Sequence, residues 1–345
     1  MTMLDYHDAF AEFAHVFSVE HASHGLVDDR PLVTIAIPTF RRPALLLKAL
    51  QSALNQRFNR AVEILILDND PAGEQWNAIL SSLPARPNRA IRYVVNDQNI
   101  GMFGNWNRAI ELARGEWVTI LNDDDLLHPR FLQRMFRVID RHPDIDGLVA
   151  QKLFYSLETR RVIRNGSILR DLAKYLIFRW RFNLENTAQV RLENFYFGNE
   201  LHNGLTFLFT KSSGLKSGGY RSSEFPGADG FLYTRYCLEF NFRWLNEVLG
   251  YIGIGENESL NKSTMVSAVL QNIEYRKTLT QNHLPKHWIS LDPQISANTI
   301  QGFRSRFDVD FTEDEMNMFE KAAGAEIPAP SYGEIRRFRI RNNGF

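Results

Sequence analysis

Three successive carboxylates, Asp123, Asp124 and Asp125, follow directly on the apolar run Trp117-Val118-Thr119-Ile120-Leu121-Asn122 and precede Leu126-Leu127-His128-Pro129. Burying three adjacent like charges without a counter-charge is very costly. The run therefore reads as a buried strand and the aspartates as its exposed carboxyl end, where a hard divalent cation is the fitting counter-charge for a cluster of carboxylate oxygens. The plainer reading is a solvated acidic turn that caps the next helix, since Asp is a good N-cap and Pro suits the first helical position. The elements around the cluster decide between them.

Near-continuous apolar strands fall at 32–38, 62–67 and 91–95, ahead of the Trp117 strand, with helical periodicity at 44–55, 74–82 and 104–113 between them. Strands of this unalternating kind separated by helices predict an α/β fold, a Rossmann-like, mostly parallel sheet with helices on both faces. Ligands of such sheets bind outside the carboxyl ends of the strands. The polar clusters Thr39-Phe40-Arg41, Asp68-Asn69-Asp70, Asn96 to Asn99 and Asp123-Asp124-Asp125 all follow carboxyl ends, so they should converge along one edge. No Gly-x-Gly-x-x-Gly follows the first strand and no phosphate loop occurs. If a nucleotide diphosphate binds here, its charge has to be met by a metal held on the Asp cluster.

Composition sets wider bounds. The chain has 345 residues, 44% of them apolar and 12% aromatic, which is enough for a sizeable core. Acidic and basic residues balance at 40 each, so no global field points to nucleic acid. The single cysteine, Cys237, excludes an internal disulfide framework and a cysteine-rich zinc site, and suits a reducing compartment. Asp5, Asp8 and Glu12 stand where a signal peptide needs an unbroken apolar stretch. No run reaches the length of a membrane span. The expectation is a cytoplasmic protein, at most peripheral at the inner face of a membrane.

The motifs Ile-Pro-Thr-Phe-x-Arg-Pro (37–43), Leu-Asp-Asn (67–69), Asn-Ile-Gly (99–101) with Asn107-Arg108-Ala109, Ala-Arg-Gly-Glu-Trp (113–117) and Asn-Asp-Asp-Asp (122–125) occur in one order. Together they resemble the family 2 glycosyltransferases of the GT-A fold, bacterial surface-polysaccharide type, from about Pro31 to Pro143 and more weakly to about Gly255. The resemblance implies a nucleotide-sugar donor, a divalent metal (Mn2+ or Mg2+) on an Asp-x-Asp motif, and inversion at the sugar carbon. Residue by residue it implies that Pro38, Thr39, Phe40 and Arg41 lie along the nucleoside. Asp68 and Asn69 would read the uracil or ribose, with Asn99, Gly101 and Asn107 on the same side. Asp123 would touch the ribose and share the metal with Asp125, and Asp124 would assist. In these enzymes a Gly-Gly-aromatic turn, here Gly218-Gly219-Tyr220, is followed by an acidic pair whose Asp is the general base. Asp229 occupies that position, with Ala228 in place of the Glu and Glu224 as the fallback. The competing role of Asp229 is a helix N-cap after a Pro-Gly turn.

The second half carries a strand at 146–154, another at 204–210 and a helix running through Leu238. Between Lys152 and Arg181 basic residues dominate, and Leu169, Leu172, Ala173, Leu176, Ile177 and Trp180 share one helical face. This predicts a helix packed on the domain or lying on an anionic membrane surface, a character that Arg336 to Arg341 repeats. Residues 4–19 have the spacing of an amphipathic helix, followed by a loop from His21 to Arg30. Residues 265–345 read as helical fragments broken by prolines. The division is thus 1–30, a nucleotide-sugar-binding half over 31–150, an acceptor-binding half over 151–264, and a helical C-terminal extension over 265–345.

Two departures from the family pattern narrow the reading. Residues 251–263 hold no His for the diphosphate, and no Gln-x-x-Arg-Trp occurs, which argues against a processive polymer synthase. The resemblance implies transfer of one sugar, from a UDP-sugar, to a hydroxyl of a glycan or lipid-diphosphate-linked glycan. The alternatives are a sugar nucleotidyltransferase and a non-catalytic glycan- or metal-binding module.

Overall fold

The structure, a computed structural model, describes residues 4–25, 30–72, 86–159, 161–163, 186–198, 201, 203–255 and 261–341. The expected helix at 74–82, the basic apolar face at 169–180 and the segment 256–260 lie outside the described residues.

The described strands are β1 Ser18–His24, β2 Val33–Thr39, β3 Val62–Asp68, β4 Arg89–Asn96, β5 Trp117–Ile120, β6 Leu126–Leu127, β7 Gly147–Ser156, β8 Val162–Ile163, β9 Thr187–Gln189, β10 Phe207–Thr210 and β11 Phe242–Ile254. They join one sheet in the order β1-β4-β3-β2-β5-β10-β7-β11-β6, with β8 on β7 and β9 on β11. The nucleotide-type half, β4-β3-β2-β5, is parallel throughout. β10 then runs antiparallel between β5 and β7, and β7 and β11 are parallel again. Every residue of β2 and β3 is buried, as parallel strands covered on both faces require.

Helix α1 (Pro43–Leu54) starts with Pro43, whose missing N–H costs nothing at that position. Helix α2 (Gly101–Leu112) precedes β5, and α3 (Phe131–Ile139) follows the Asp cluster. On one face of the sheet Leu46, Leu50, Phe131 and Met135 pack with Val33, Ile35 and Ile64. On the other, Ala109 meets Ala36 and Leu65. Two short helices, α4 (Glu193–Tyr196) and α5 (Lys211–Lys216), lead to α6 (Ala228–Glu239). The C-terminal region is helical as expected, with α7 (Lys262–Asn282), α8 (Asp292–Phe307), α9 (Glu313–Ala323) and α10 (Tyr332–Arg341). Among the described residues no helix is long and apolar enough to cross a membrane.

The amino-terminal segment departs from the expected helix over 4–19. It forms a 3-10 turn at Ala11–Phe13 and then β1, which pairs antiparallel with β4 across the stretch expected as a loop. The apolar residues serve as separate anchors: Phe10 packs in the α2–α6 core, Phe13 lies against Gly104, and Phe17 stays exposed. The open edge of β4 offers a row of unpaired backbone groups, and pairing with it outweighs a weak local helical preference.

Candidate active site

The strand ends converge as the topology requires. Thr39 at the end of β2 pairs in register with Asp68 at the end of β3, and Leu121 extends β5 alongside β2 by donating its N–H to Ala36 O at 2.8 Å. Asp123 is buried, and its Oδ2 accepts from Thr39 Oγ1 at 2.8 Å. One guanidinium nitrogen, Nη1 of Arg42, lies 3.4 Å from Asp123 Oδ1 and 3.3 Å from Asp124 Oδ2. Burial pushes the Asp123 carboxyl up to about 6, reinforced by the Asp124 charge and opposed by Thr39 and Arg42. Asp124 is raised by burial too, with Arg42 pulling it back.

Asp125 faces the other way. Its Oδ1 accepts the Gly253 N–H at 2.9 Å and its Oδ2 accepts from Asn122 Nδ2 at 3.2 Å. The side chain is buried, which holds its pKa well above the usual carboxylate range. A Cβ on Gly253 would come within 2.1 Å of Asp124 O, so glycine lets β11 close onto this turn. Asp125, the expected metal ligand, thus ties the turn to β11, and Asp124 reaches Arg42.

The other expected nucleotide-side residues occupy the same edge in different roles. Asp68 accepts from Tyr93 Oη at 2.9 Å and from the Asp70 N–H at 3.0 Å, and burial raises its pKa. Asn69 uses its amide within the protein, donating to Asn99 Oδ1 and Gly101 O and accepting from Asn96 Nδ2 and the Ile100 N–H. Asn69, Asn99 and Gly101 thereby brace the loop that starts α2. Pro38 lies in β2, and beyond it Phe40 is exposed beneath the Arg41 guanidinium, 4.9 Å from the ring centroid; Arg41 also bonds Asp70 at 2.7 Å. Asn107 is buried and bonds both backbone groups of Tyr220, at 2.8 Å each, which fastens α2 to the Gly218-Gly219 turn.

Asp229 stands in the first turn of α6. Its Oδ1 is buried and has no hydrogen-bond partner among the described residues. A Cβ built on Gly204 would meet that oxygen at 2.9 Å and Tyr220 Oη at 3.1 Å, so glycine keeps space beside the carboxylate. Burial pushes the Asp229 carboxyl up to about 6, opposed by the Lys152 charge and the Gly204 N–H. Lys152, on β7, is buried, and its ammonium donates to Asn203 O. Burial brings it down to about 7, opposed by the charges of Asp229 and Asp125. One buried cation is therefore shared by the candidate base and the Asp turn. Glu224, the fallback, is committed elsewhere, paired with Arg235 and, at 3.5 Å, with Arg221.

Residues 34–199 match the sequence profile of Glycosyl transferase family 2. Over those residues this chain carries a glycosyl transferase family 2 domain. It is 30% identical over 144 residues to an uncharacterized glycosyltransferase of Methanocaldococcus jannaschii, covering 41% of this chain and 47% of that protein. It is 33% identical over 104 residues to a putative colanic acid biosynthesis glycosyl transferase of Escherichia coli, 30% of this chain and 36% of the relative. With the GalNAc(5)-diNAcBac-PP-undecaprenol beta-1,3-glucosyltransferase of Campylobacter jejuni it shares 38% over 99 residues, 28% and 31% of the two chains. The matched stretches span less than half of each of these relatives. The fold is shared with S. aureus TarS 1-349, solved in complex with UDP-GlcNAc, at TM-score 0.54 and 17% identity over 84% of this chain and 79% of that one.

Within this family 2 domain, the donor set fits a hard divalent cation. Asp123 and Asp124 present carboxylate oxygens to one shared positive group, the Arg42 guanidinium, so the turn is already built around a cation. Among the described residues no group of three or more His, Cys, Asp or Glu side chains could enclose a metal ion. Two carboxylates with the rest of the shell from phosphates and water is the usual arrangement for such an ion beside a nucleotide.

Sequence reasoning missed Arg42 and Lys152 as site residues. The signal for Lys152 was a lysine within the apolar stretch at 146–154, and that for Arg42 the second arginine after Thr39.

Proposed function

We propose that this family 2 protein transfers one sugar from a nucleotide-diphosphate donor, a UDP-sugar, to a hydroxyl of a glycan or lipid-linked glycan in surface polysaccharide synthesis, with inversion. The observation that carries this reading is the buried Asp229 carboxylate, one oxygen unpartnered, sharing Lys152 with the Asp turn. Base and leaving-group residues then belong to one site. The relatives named for polysaccharide assembly and for an undecaprenol-linked substrate support the acceptor class.

In this reading Thr39 and Asp123 hold the ribose end of the donor, and Phe40 and Asp68 flank the nucleoside. Asp123 and Asp124 would hold Mn2+ or Mg2+, which when bound neutralises charge growing on the departing diphosphate. Arg42 adds a guanidinium to the same charge. The acceptor hydroxyl attacks the anomeric carbon from the face opposite the diphosphate. As that bond forms and the sugar–phosphate bond breaks, Asp229 Oδ1 takes the hydroxyl proton. Asp125 holds the turn against β11, and Lys152 sets the charge around the base.

Calorimetric titration of UDP with Mn2+, then with chelator, tests the donor half. Metal-dependent binding that Asp124→Ala removes is the expected result; metal-independent binding would overturn it. Screening UDP-sugars for donor turnover, with Asp229→Asn as control, separates a transferase from a module that binds without reaction.

A further inference from the structure

At the edge of the sheet opposite the Asp turn, where β3 and β4 begin, a cavity of about 750 Å3 opens between α1 and α3. Its wall includes Arg57, Arg60, Arg86, Arg89 and Arg137, with Asp140 the single carboxylate among the residues that line it. We propose that this cavity binds a phosphate-bearing anion, at a site separate from the donor site.

The charge is local, because the whole chain is balanced at 40 acidic and 40 basic residues. Asp140 does not neutralise the pocket, since it is paired with Arg60, Oδ1 to Nη1 at 2.9 Å. Arg60 is held further over the Phe136 and Phe58 rings, at 5.3 and 5.8 Å to their centroids. Arg57, Arg86 and Arg137 are exposed and have no carboxylate partner among the described residues.

Arg89 is the stronger sign. Its side chain is buried at 5% exposure, and its Nη groups donate only to carbonyls, those of Gln56 at 2.9 Å, Phe58 at 2.6 Å and Arg60 and Asn88 at 3.2 and 2.9 Å. Its Nε is buried with no acceptor among the described residues. A buried cation without a counter-anion is costly, and burial together with the Arg86 charge pulls its pKa down. An anion in the cavity removes that cost.

The cavity is also pre-built. Gln56 donates to His128 O at 3.0 Å and accepts the Leu132 N–H at 3.1 Å, and the Arg57 N–H bonds Pro129 O at 2.7 Å. The loop carrying Arg57 and Arg60 is thus fixed to the start of α3 before any ligand arrives. Planar guanidinium forks match phosphate oxygens in pairs, which a cluster of lysines would not do. The seven residues of β3 separate this edge from the Asp68 end by about 20 Å. A donor phosphate on the Asp turn cannot reach it.

The same phosphate chemistry is offered by free pyrophosphate and by an anionic lipid headgroup, and one set of titrations separates them. Inorganic pyrophosphate is titrated calorimetrically, with chelator present, into the wild-type chain, into Arg57→Ala/Arg86→Ala/Arg137→Ala, and into Arg42→Ala. The triple variant alters exposed side chains only, and its unchanged Tm would verify folding. Expected are binding by wild type, at least tenfold weaker binding by the triple variant, and retained binding by Arg42→Ala. No binding by wild type, or binding that Arg42→Ala removes and the triple variant keeps, overturns the proposal. A donor-site reading that failed would leave this pattern intact. Phosphatidylglycerol vesicles that co-sediment with wild type but not with the triple variant assign the headgroup; vesicles that do not bind assign the free anion.

Discussion

Thr39 Oγ1 donates to Asp123 Oδ2 across 2.8 Å, joining the last residue of β2 to the first carboxylate after β5. Both side chains are buried, and the bond sets which Asp123 oxygen is left facing Arg42. Replacing Thr39 with Val keeps the shape and removes the donor. A hydrogen bond to a charged group is worth about 1.5–3 kcal/mol. Thr39→Val should therefore weaken UDP binding by roughly tenfold to a hundredfold, read by calorimetry. Unchanged affinity would separate Asp123 from the donor.

Three identical residues in a row should behave differently because their surroundings differ. Asp124→Ala removes a carboxylate that meets only Arg42 and its own N–H and leaves the bond to β11 intact, so Tm should hold while metal-dependent UDP binding disappears. Asp125→Ala removes the carboxylate that accepts the buried Gly253 N–H, while β6 stays paired with β11, at a cost of about 1–3 kcal/mol. Its Tm should fall by several degrees. If Asp125→Ala folds as well as wild type and Asp124→Ala still binds UDP with metal, the two roles are exchanged.

The parallel half of the sheet was legible because β2 to β5 are buried on both faces and so are written as near-continuous apolar runs, each followed by a polar cluster. What escaped notice lacks such a local signature. β11 passes through Arg243, Asn246 and Glu247, with shifts of register between Leu245 and Gly250, so neither alternation nor a continuous apolar run marks it. β1 is an edge strand whose partner lies 67 or more residues away, from His24 opposite Ile91 to Ser18 opposite Asn96. Asn107 resembled a nucleotide-side residue by motif, but its bonds go to Tyr220, 113 positions further on. That Asp125 would bond the Gly253 N–H while Asp124 meets Arg42 was equally invisible, because packing against β11 decides it and adjacency in sequence does not.

The pH dependence of turnover should follow Asp229. A base must be ionised to accept a proton, and this carboxyl is pushed up to about 6. With saturating metal, kcat/KM should be flat above that value and fall about tenfold for each pH unit below it. Asp229→Asn should abolish transfer with UDP affinity unchanged. An acid limb near 4 would leave the proton to a more exposed group than Asp229.

Lys152 gives that profile a second lever. Its ammonium is the charge that pulls the Asp229 carboxyl down against burial, so removing it must send the Asp229 pKa up. In Lys152→Met the acid limb of kcat/KM should move to higher pH, and Lys152→Arg, which keeps the charge, should move it back toward the wild-type position. A role limited to packing would lower turnover at every pH and leave the limb in place. A limb that stays near 6 in Lys152→Met, or moves down, would show that the lysine serves the Asp125 turn and has no hold on the base. The comparison is informative because Lys152 lies on β7 and its one buried charge acts on both Asp229 and Asp125.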